Sequence, residues 1–290
     1  MKVKKLLKHA KRMLAFLPDR AYIQLYYFAY HKRLCNLGNP TRYTEKLNWL
    51  KLYDRNPKYS QMVDKYEAKK YVASIIGSEY IIPTLGVWEH FDDIDFDTLP
   101  DQFVLKCTHD SEGIAIVKDK SKLDVRATRK KINAALRVNY FYDGREWPYK
   151  DIRPRIIAEE YLEDAQDGEL RDYKFFCFDG EPKAMFVATE RGTGKTKFDF
   201  FDLDFNHLDI IQYYPNATKP IRKPTTFDKM QELASMLSKE LPHVRVDFYE
   251  ANGRLFFGEL TLYHFSGFMP FQPDRWDKIF GDWLKCPALD

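Results

Sequence analysis

The sequence predicts an α+β fold with mostly antiparallel strands, and three patterns carry that prediction. Residues 1–77 repeat their apolar positions at helical spacing, residues 156–214 alternate as strands do, and 243–262 read as a hairpin with one charged and one apolar face. The 290 residues suffice for one large or two to three small folding units, and the apolar content is ample for a core. Acids and bases nearly balance, 43 against 46, which argues against a nucleic-acid footprint. No stretch approaches the ~20 apolar residues of a membrane span. Cys35, Cys107, Cys177 and Cys286 are scattered in apolar company without metal-ligand spacing, and read as reduced core residues of a cytoplasmic protein.

Taken in order, the chain opens with basic residues interleaved among Val3, Leu6, Leu7, Met13, Leu14, Phe16 and Leu17, too interrupted for a signal peptide. The segment is either a basic amphipathic helix in peripheral contact with the inner face of the cell membrane or a solvated start to the helical layer. A helix over 61–76 buries Ala68, Val72, Ile75 and Ile76 and stops at Gly77. Strands follow at Ile81-Ile82-Pro83 and Phe103–Cys107, then a basic helix over 121–139. Residues 140–155, rich in Tyr, Trp, Pro and Arg, form an ordered loop and a boundary. Asp179-Gly180 turns a hairpin, and Thr225 with Asp228 opens a capped helix whose buried stripe is Met230, Leu233, Ala234 and Leu237. Gly194-Lys195-Thr196 is a turn rather than a P-loop, because Thr189 stands where the first glycine is needed and a strand pattern follows. The abundant aromatic residues suit sugar or adenine stacking and equally a tyrosine-rich core.

Register decides what the last hairpin can do. Val244, Val246 and Phe248 alternate with Arg245, Asp247 and Tyr249, and Asn252-Gly253 lies at the turn. A two-residue turn would put Asp247 and Glu259 on opposite faces. A three-residue loop, Ala251 to Gly253, pairs Asp247 with Phe257 and Arg245 with Glu259, and gathers Arg245, Asp247, Glu259 and Thr261 on one face. Two carboxylates beside a cation suit Mg²⁺ holding phosphate oxygens. The plainer alternative is a surface hairpin with an Arg–Glu pair of little energetic worth.

Further phrases accompany the hairpin: Val-Asp-Lys-Tyr-Glu-Ala-Lys-Lys around Lys65, Phe-Val-Leu-Lys-Cys-Thr-His around Lys106, Glu159-Glu160-Tyr161-Leu162, and 45–55, 172–180 and 257–261. In that order the chain resembles the ATP-grasp superfamily, and within it the TupA-like ATP-grasp family of bacterial surface-polysaccharide gene clusters. The resemblance runs from about residue 38 to the end. It implies a helical N-terminal part and first lobe over 1–98, a small central lobe over 99–158, and a C-terminal antiparallel lobe with the Mg·ATP site over 159–290.

The resemblance also assigns roles, with ATP and Mg²⁺ as cofactors. Lys65 and Lys106 contact phosphates, although Lys106 alone could be an edge-strand lysine reaching water and Lys65 a solvated helical one. Thr108–Gly113 stands in the place of a phosphate-covering loop, with His109, Ser111 and Gly113 as contacts. It has one glycine where the family commonly has several, Asp110 and Glu112 oppose phosphate unless turned away, and His109 serves equally as a neutral structural residue. The backbone of Glu159 and Glu160 reads adenine while Tyr161 and Leu162 sandwich the ring. Asp172 accepts from ribose with Lys174 beside it, unless the two are a routine exposed pair. Asp247, Glu259 and Thr261 hold the metal, and Arg245 grips the acyl phosphate bidentately. The implied activity is ATP-dependent carboxylate–amine ligation through an acyl phosphate, building or decorating capsule, O-antigen or teichuronic-type polymer. The substrates are then a small-molecule or sugar-linked carboxylate and an amine. A glycosyltransferase of the same pathway and an inactive nucleotide-binding module are the alternatives, and residues 264–268 border the acceptor side.

Overall fold

Alternating apolar residues build two sheets, and the helical stretches pack against them. The computed structural model describes residues 14–165, 169–191 and 193–288. The basic N-terminal reading therefore falls largely outside the described residues. Helices α1 (Asp19–His31), α2 (Tyr43–Tyr53), α3 (Lys58–Val63) and α4 (Glu67–Ile76) come first. A four-stranded sheet follows, from β1 (Thr84–Trp88), β2 (Phe103–Cys107), β3 (Ile114–Val117) and β4 (Ile156–Glu160), in the order β1-β4-β2-β3. Helix α5 (Val125–Leu136) lies against it, and the short α6 (Phe141–Gly144) leads to a 3₁₀ turn at Trp147–Tyr149.

The second sheet has six strands: β5 (Asp172–Phe178), β6 (Glu181–Thr189), β7 (Lys197–Phe201), β8 (His207–Leu208), β9 (Val244–Ala251) and β10 (Arg254–Thr261). Their order is β10-β9-β5-β6-β7-β8, and the pairings between named strands are antiparallel in both sheets. Helices α7 (Phe227–Ser238) and α8 (Arg275–Trp283) complete the fold. No described helix is long and apolar enough to cross a membrane.

Two main cores result. The larger joins Tyr22, Tyr27 and Leu47 of the first helices to Phe175, Phe176 and Phe248 of the six-stranded sheet and to the α7 stripe Met230, Leu233, Ala234 and Leu237. Each such buried large side chain contributes roughly 1.5–3 kcal/mol of transfer free energy. The smaller core gathers Phe103, Leu105, Ile132, Ile156 and Ala158 under the four-stranded sheet. Strand β1 lies ahead of residue 98, so the small lobe draws its first strand from the region expected to precede it. Cys35, Cys107 and Cys177 are buried, Cys286 is half-buried, and all four are free thiols.

Three local expectations are corrected. The helix expected over 61–76 breaks at 64–66, because Asp64 Oδ1 accepts the backbone N–H groups of Tyr66 (2.8 Å) and Glu67 (3.0 Å). An aspartate offers this capping geometry more readily than it serves a helix interior. Lys65 thus sits in the break, where its N–H donates to Thr108 O at 3.0 Å. The later helix starts at Phe227, and Thr225 and Thr226 direct their hydroxyls to Glu250 at 3.2 and 2.5 Å instead of forming a capping box.

The last hairpin keeps its expected faces by a different route. Asn252 and Gly253, at φ 52° and 73°, form a two-residue turn, and Ala251 pairs with Arg254. A bulge at Gly258 then restores the faces, setting Glu259 opposite Asp247 and Thr261 opposite Arg245. A Cβ at Gly258 would lie 3.1 Å from the Asp247 carbonyl oxygen, which favours glycine there.

The break at Asp64 generates a prediction. Asp64 also receives Arg155 Nη2 at 3.1 Å, so it ties α4 to the small lobe while aiming Lys65. Asp64→Ala should lower stability by about 1–3 kcal/mol, the range for a lost cap and a lost charge-assisted bond. Asp64→Asn should lose less, because it keeps the cap. Paired urea titrations check the order.

Candidate active site

The polar face of the β9–β10 hairpin is an assembly built around Arg245. Asp247 is fully buried, and Arg245 donates to both its oxygens, Nε and Nη2 each at 2.7 Å. Nη2 also reaches Glu259 Oε1 at 3.2 Å and Thr261 Oγ1 at 2.9 Å. Nη1 lies 2.7 Å from His264 Nδ1, and His264 Nε2 lies 2.8 Å from Gln212 Oε1. Gln212 Nε2 donates to Met269 O at 3.1 Å, which turns Oε1 towards the imidazole. His264 therefore carries its proton on Nε2 and accepts from Arg245 on Nδ1. Burial, and then the nearby Arg245, hold its pKa well below the ordinary range, consistent with that neutral acceptor. With Nε, Nη2 and one Nη1 hydrogen engaged, a single Arg245 N–H remains for an external anion. The bidentate grip expected of Arg245 gives way to one contact while these partners hold.

The assembly extends across β5. Lys174 bridges Asp172, at 2.9 Å, and Asp247, and Arg191 also pairs with Asp172. Asp172 and Lys174 are buried, so the reading of an exposed i,i+2 pair is overturned. Glu259 differs from its neighbours because its side chain is 39% exposed to the cleft. Burial raises its pKa, but Lys174, Lys65, Arg245 and Arg191 outweigh that effect and hold it down at about 2. For Asp247, burial is the larger influence and pushes the carboxyl up against the pull of Arg245 and Lys174.

The opposing wall belongs to the small lobe. Glu159, buried on β4, takes Lys69 on one oxygen and Lys106 on the other, each at 2.5 Å. Burial opposes ionisation of Glu159, but Lys106 and Lys69 together keep its pKa below the ordinary range. The carboxylate thus positions two lysines, a role the sequence reading had not given it. Lys69 is further fixed by Ile82 O at 2.7 Å and Thr84 Oγ1 at 2.9 Å. Lys65 reaches the carbonyl of Asp110 in the 108–113 loop. In that loop Asp110 turns inward and accepts the Gly113 N–H at 3.0 Å, which keeps its charge off the cleft. His109 is buried with Nε2 3.0 Å from Val138 O, the structural alternative rather than a phosphate donor in this arrangement. Ser111 is exposed at the rim.

The hinge residues separate. Glu160 is exposed, and its N–H donates to Pro83 O at 3.1 Å. Tyr161 lies beneath Lys118 and lines an outer groove with Leu85, Leu99 and Gln102. Leu162 packs instead with Ile82, Ala251 and Phe256. The two side chains leave the chain on different sides, so they do not sandwich one ring.

Glu259, partly exposed and opposite Asp247 in register, offers oxygens of the kind Mg²⁺ takes, whereas Asp247 and Thr261 would have to exchange their contacts with Arg245 and Lys174 for the ion. Among the described residues no three His, Cys, Asp or Glu side chains converge to hold a metal alone, so phosphate oxygens would complete the shell. The sequence reading missed His264 and Gln212 as supports of Arg245, Lys69 as partner of Glu159, and Arg191. Only Lys69 left a signal, its place four residues after Lys65. The others meet through tertiary contacts alone.

A small antiparallel sheet presenting lysines towards a larger sheet whose last hairpin presents carboxylates defines the ATP-grasp class. The TupA-like ATPgrasp family model matches residues 45–285, and the chain belongs to that family. Among solved structures, D-alanine–D-alanine ligase from Bacillus anthracis complexed with ATP is 15% identical over 69% of this chain and 53% of its own, with a TM-score of 0.40. The Helicobacter pylori D-alanine–D-alanine ligase is 13% identical, covering 71% and 52%, TM-score 0.41. The ATP-grasp ligase PsnB complexed with minimal precursor, Mg and ADP is 11% identical, covering 76% and 57%, TM-score 0.40. The chain spans a little over half the length of these structures. No curated protein sequence matches it.

Glu259 yields a prediction whose sign the cations set. Two repelling carboxylates alone would make Glu259→Gln neutral or stabilising without metal. The depressed pKa, about 2 against an ordinary 4.5, reverses that expectation. Its stabilisation is fully present above pH 4.5 and is lost as pH falls towards 2. Glu259→Gln should therefore melt below the parent at pH 7, with the gap closing on that acid limb. Thermal melts of both proteins between pH 7 and pH 2.5 check it.

Proposed function

We propose that this chain is an ATP-dependent carboxylate–amine ligase that makes an amide through an acyl phosphate. The observation that carries the reading is the Arg245–Asp247–Glu259–Thr261 face, whose Glu259 feels the charge of Lys65, together with the Lys69–Glu159–Lys106 clamp of the small lobe. Cations on both walls suit a polyphosphate, and the two carboxylates suit the ion accompanying it. A substrate carboxylate oxygen would attack the γ-phosphorus and release ADP. An amine would then attack the acyl carbon and expel phosphate, so no covalent enzyme intermediate is needed.

Each residue has a bounded task. Lys106 and Lys65 offset negative charge on the phosphates, with Glu159 aiming Lys106. The single remaining N–H of Arg245 meets a phosphoryl oxygen, and His264 keeps the guanidinium from rotating away. Asp247 and Glu259, with Thr261 as a third contact, would hold Mg²⁺, which when bound supplies charge neutralisation across the β- and γ-phosphates. Leu162 and the backbone of the 159–162 segment would face the adenine end. The family resemblance supports a sugar or amino-acid carboxylate destined for a bacterial surface polysaccharide.

Hydroxylamine tests this reading because it captures an acyl phosphate without the natural amine. Purified protein with Mg·ATP, hydroxylamine and a panel of uronic and amino acids should release ADP and form a hydroxamate with at least one acid. Lys106→Ala should weaken ATP binding about tenfold or more, the scale of a lost charge-assisted contact, while remaining folded. Stabilisation by a UDP-sugar but not by ATP would instead establish the glycosyltransferase reading. ATP binding without hydroxamate from any acid would support an inactive module.

A further inference from the structure

Beyond Arg245 and Glu259 lies a second constellation, assembled from the 139–150 loop and the 264–268 segment. Glu146 is buried at 4% exposure, and Ser266 Oγ donates to its Oε1 at 2.5 Å. The rings of Tyr140 and Tyr149 stand 4.9 Å apart beside it. Both tyrosines are close enough to feel the charge of Glu146 and of Glu259, and His264, two residues before Ser266, bonds Arg245 at 2.7 Å. His109 Nε2 of the phosphate-side loop lies 3.0 Å from Val138 O, which ties that loop to the chain just before Tyr140.

Strand direction fixes which end of the cleft this is. Strands β2 and β4 are antiparallel, so Phe103 pairs with Glu160 at the hinge while Cys107 pairs with Ile156 beside the phosphate-side loop. The constellation therefore adjoins the end where a γ-phosphoryl would sit, away from the adenine end.

Backbone strain supports a built site rather than a chance contact. Phe265, Ser266 and Gly267 have φ of 47°, 52° and 65°, so two non-glycine residues occupy the left-handed region. Such conformations persist only where surroundings over-determine them. Here Lys51 Nζ donates to Ser266 O at 2.9 Å and to Gly144 O at 2.7 Å, and Asn48 donates to Gly267 O at 2.8 Å. A Cβ on Gly144 would come within 2.4 Å of Ser266 Oγ, so this close approach favours glycine. The loop is pinned from its other side by Asn139 Nδ2 to Lys150 O at 2.8 Å and by Arg145 to the carbonyls of Leu14 and Ala15 at 3.0 Å each.

We propose that Glu146, Ser266, Tyr140 and Tyr149 form the subsite for the amine substrate, which they receive as a primary ammonium. A carboxylate supplies the charge, tyrosine faces add cation–π attraction, and the serine hydroxyl fixes the carboxylate's orientation. The proposal rests on the ligase reading and names the chemistry of its second substrate.

The test uses the full chain loaded with Mg²⁺ and a non-hydrolysable ATP analogue, titrated calorimetrically with glucosamine and with N-acetylglucosamine. The two sugars differ in whether the nitrogen is charged. Glucosamine should bind at least about tenfold more tightly, and Glu146→Gln should remove that preference. The Gln variant keeps an oxygen for the Ser266 hydroxyl, so it should retain the parent's melting temperature and nucleotide affinity. Equal affinity for the two sugars, no glucosamine binding at millimolar concentration, or unchanged glucosamine binding in Glu146→Gln would overturn the proposal. Hydroxylamine trapping separates this failure from that of the ligase reading. Hydroxamate formation without the ammonium preference keeps the ligase and removes the subsite, while the preference without hydroxamate leaves a cation site and removes its role as the amine subsite.

Discussion

Arg245 and Asp247 sit two residues apart on one strand, both nearly sealed from water, and meet through two hydrogen bonds of 2.7 Å. Removing either partner of such a pair leaves an uncompensated buried charge, a loss of about 3–5 kcal/mol. The pair therefore constrains its surroundings. Lys174 approaches Asp247 from the neighbouring strand, His264 approaches Arg245 from the segment after β10, and Glu259 and Thr261 close over the guanidinium. The network joins three adjacent strands, so the chemistry-bearing face is also a structural seam.

Around that seam the charges are unequal. Lys65, Lys174, Arg191 and Arg245 act on Glu259, opposed by Asp172 and Asp247 in the same network. The carboxylates mostly hold the cations in place. The surplus of positive charge explains why the partly exposed Glu259 stays ionised, and it provides the field a polyphosphate needs.

Much of this was legible in residue patterns. The α+β class followed from helical and alternating periods, the α7 stripe from its spacing, and the shared face of Arg245, Asp247, Glu259 and Thr261 from the hairpin. The route to that face was not legible. Gly258 looks ordinary in the sequence, yet its bulge allows a two-residue turn and a paired Asp247–Glu259 to coexist. Asp64 was hidden inside an apparent helix because the apolar period continues through it. His264, Gln212 and Glu146 become informative only through partners 19, 52 and 120 residues away, which no local pattern encodes.

The sharing of one core by the first helices and the six-stranded sheet also affects how the chain is made. Tyr43 bonds His243 at 2.9 Å across a separation of 200 residues, and the hydroxyl and N–H of Thr44 both donate to the later Asp277 at 2.9 Å. Closing such distant contacts is entropically expensive and slow. On the ribosome, the four-stranded sheet has all its strands once residue 160 has emerged, while α1 and α2 still await their partners. The small lobe thus has an opportunity to form early, as an insertion within a larger lobe that closes only when α8 arrives.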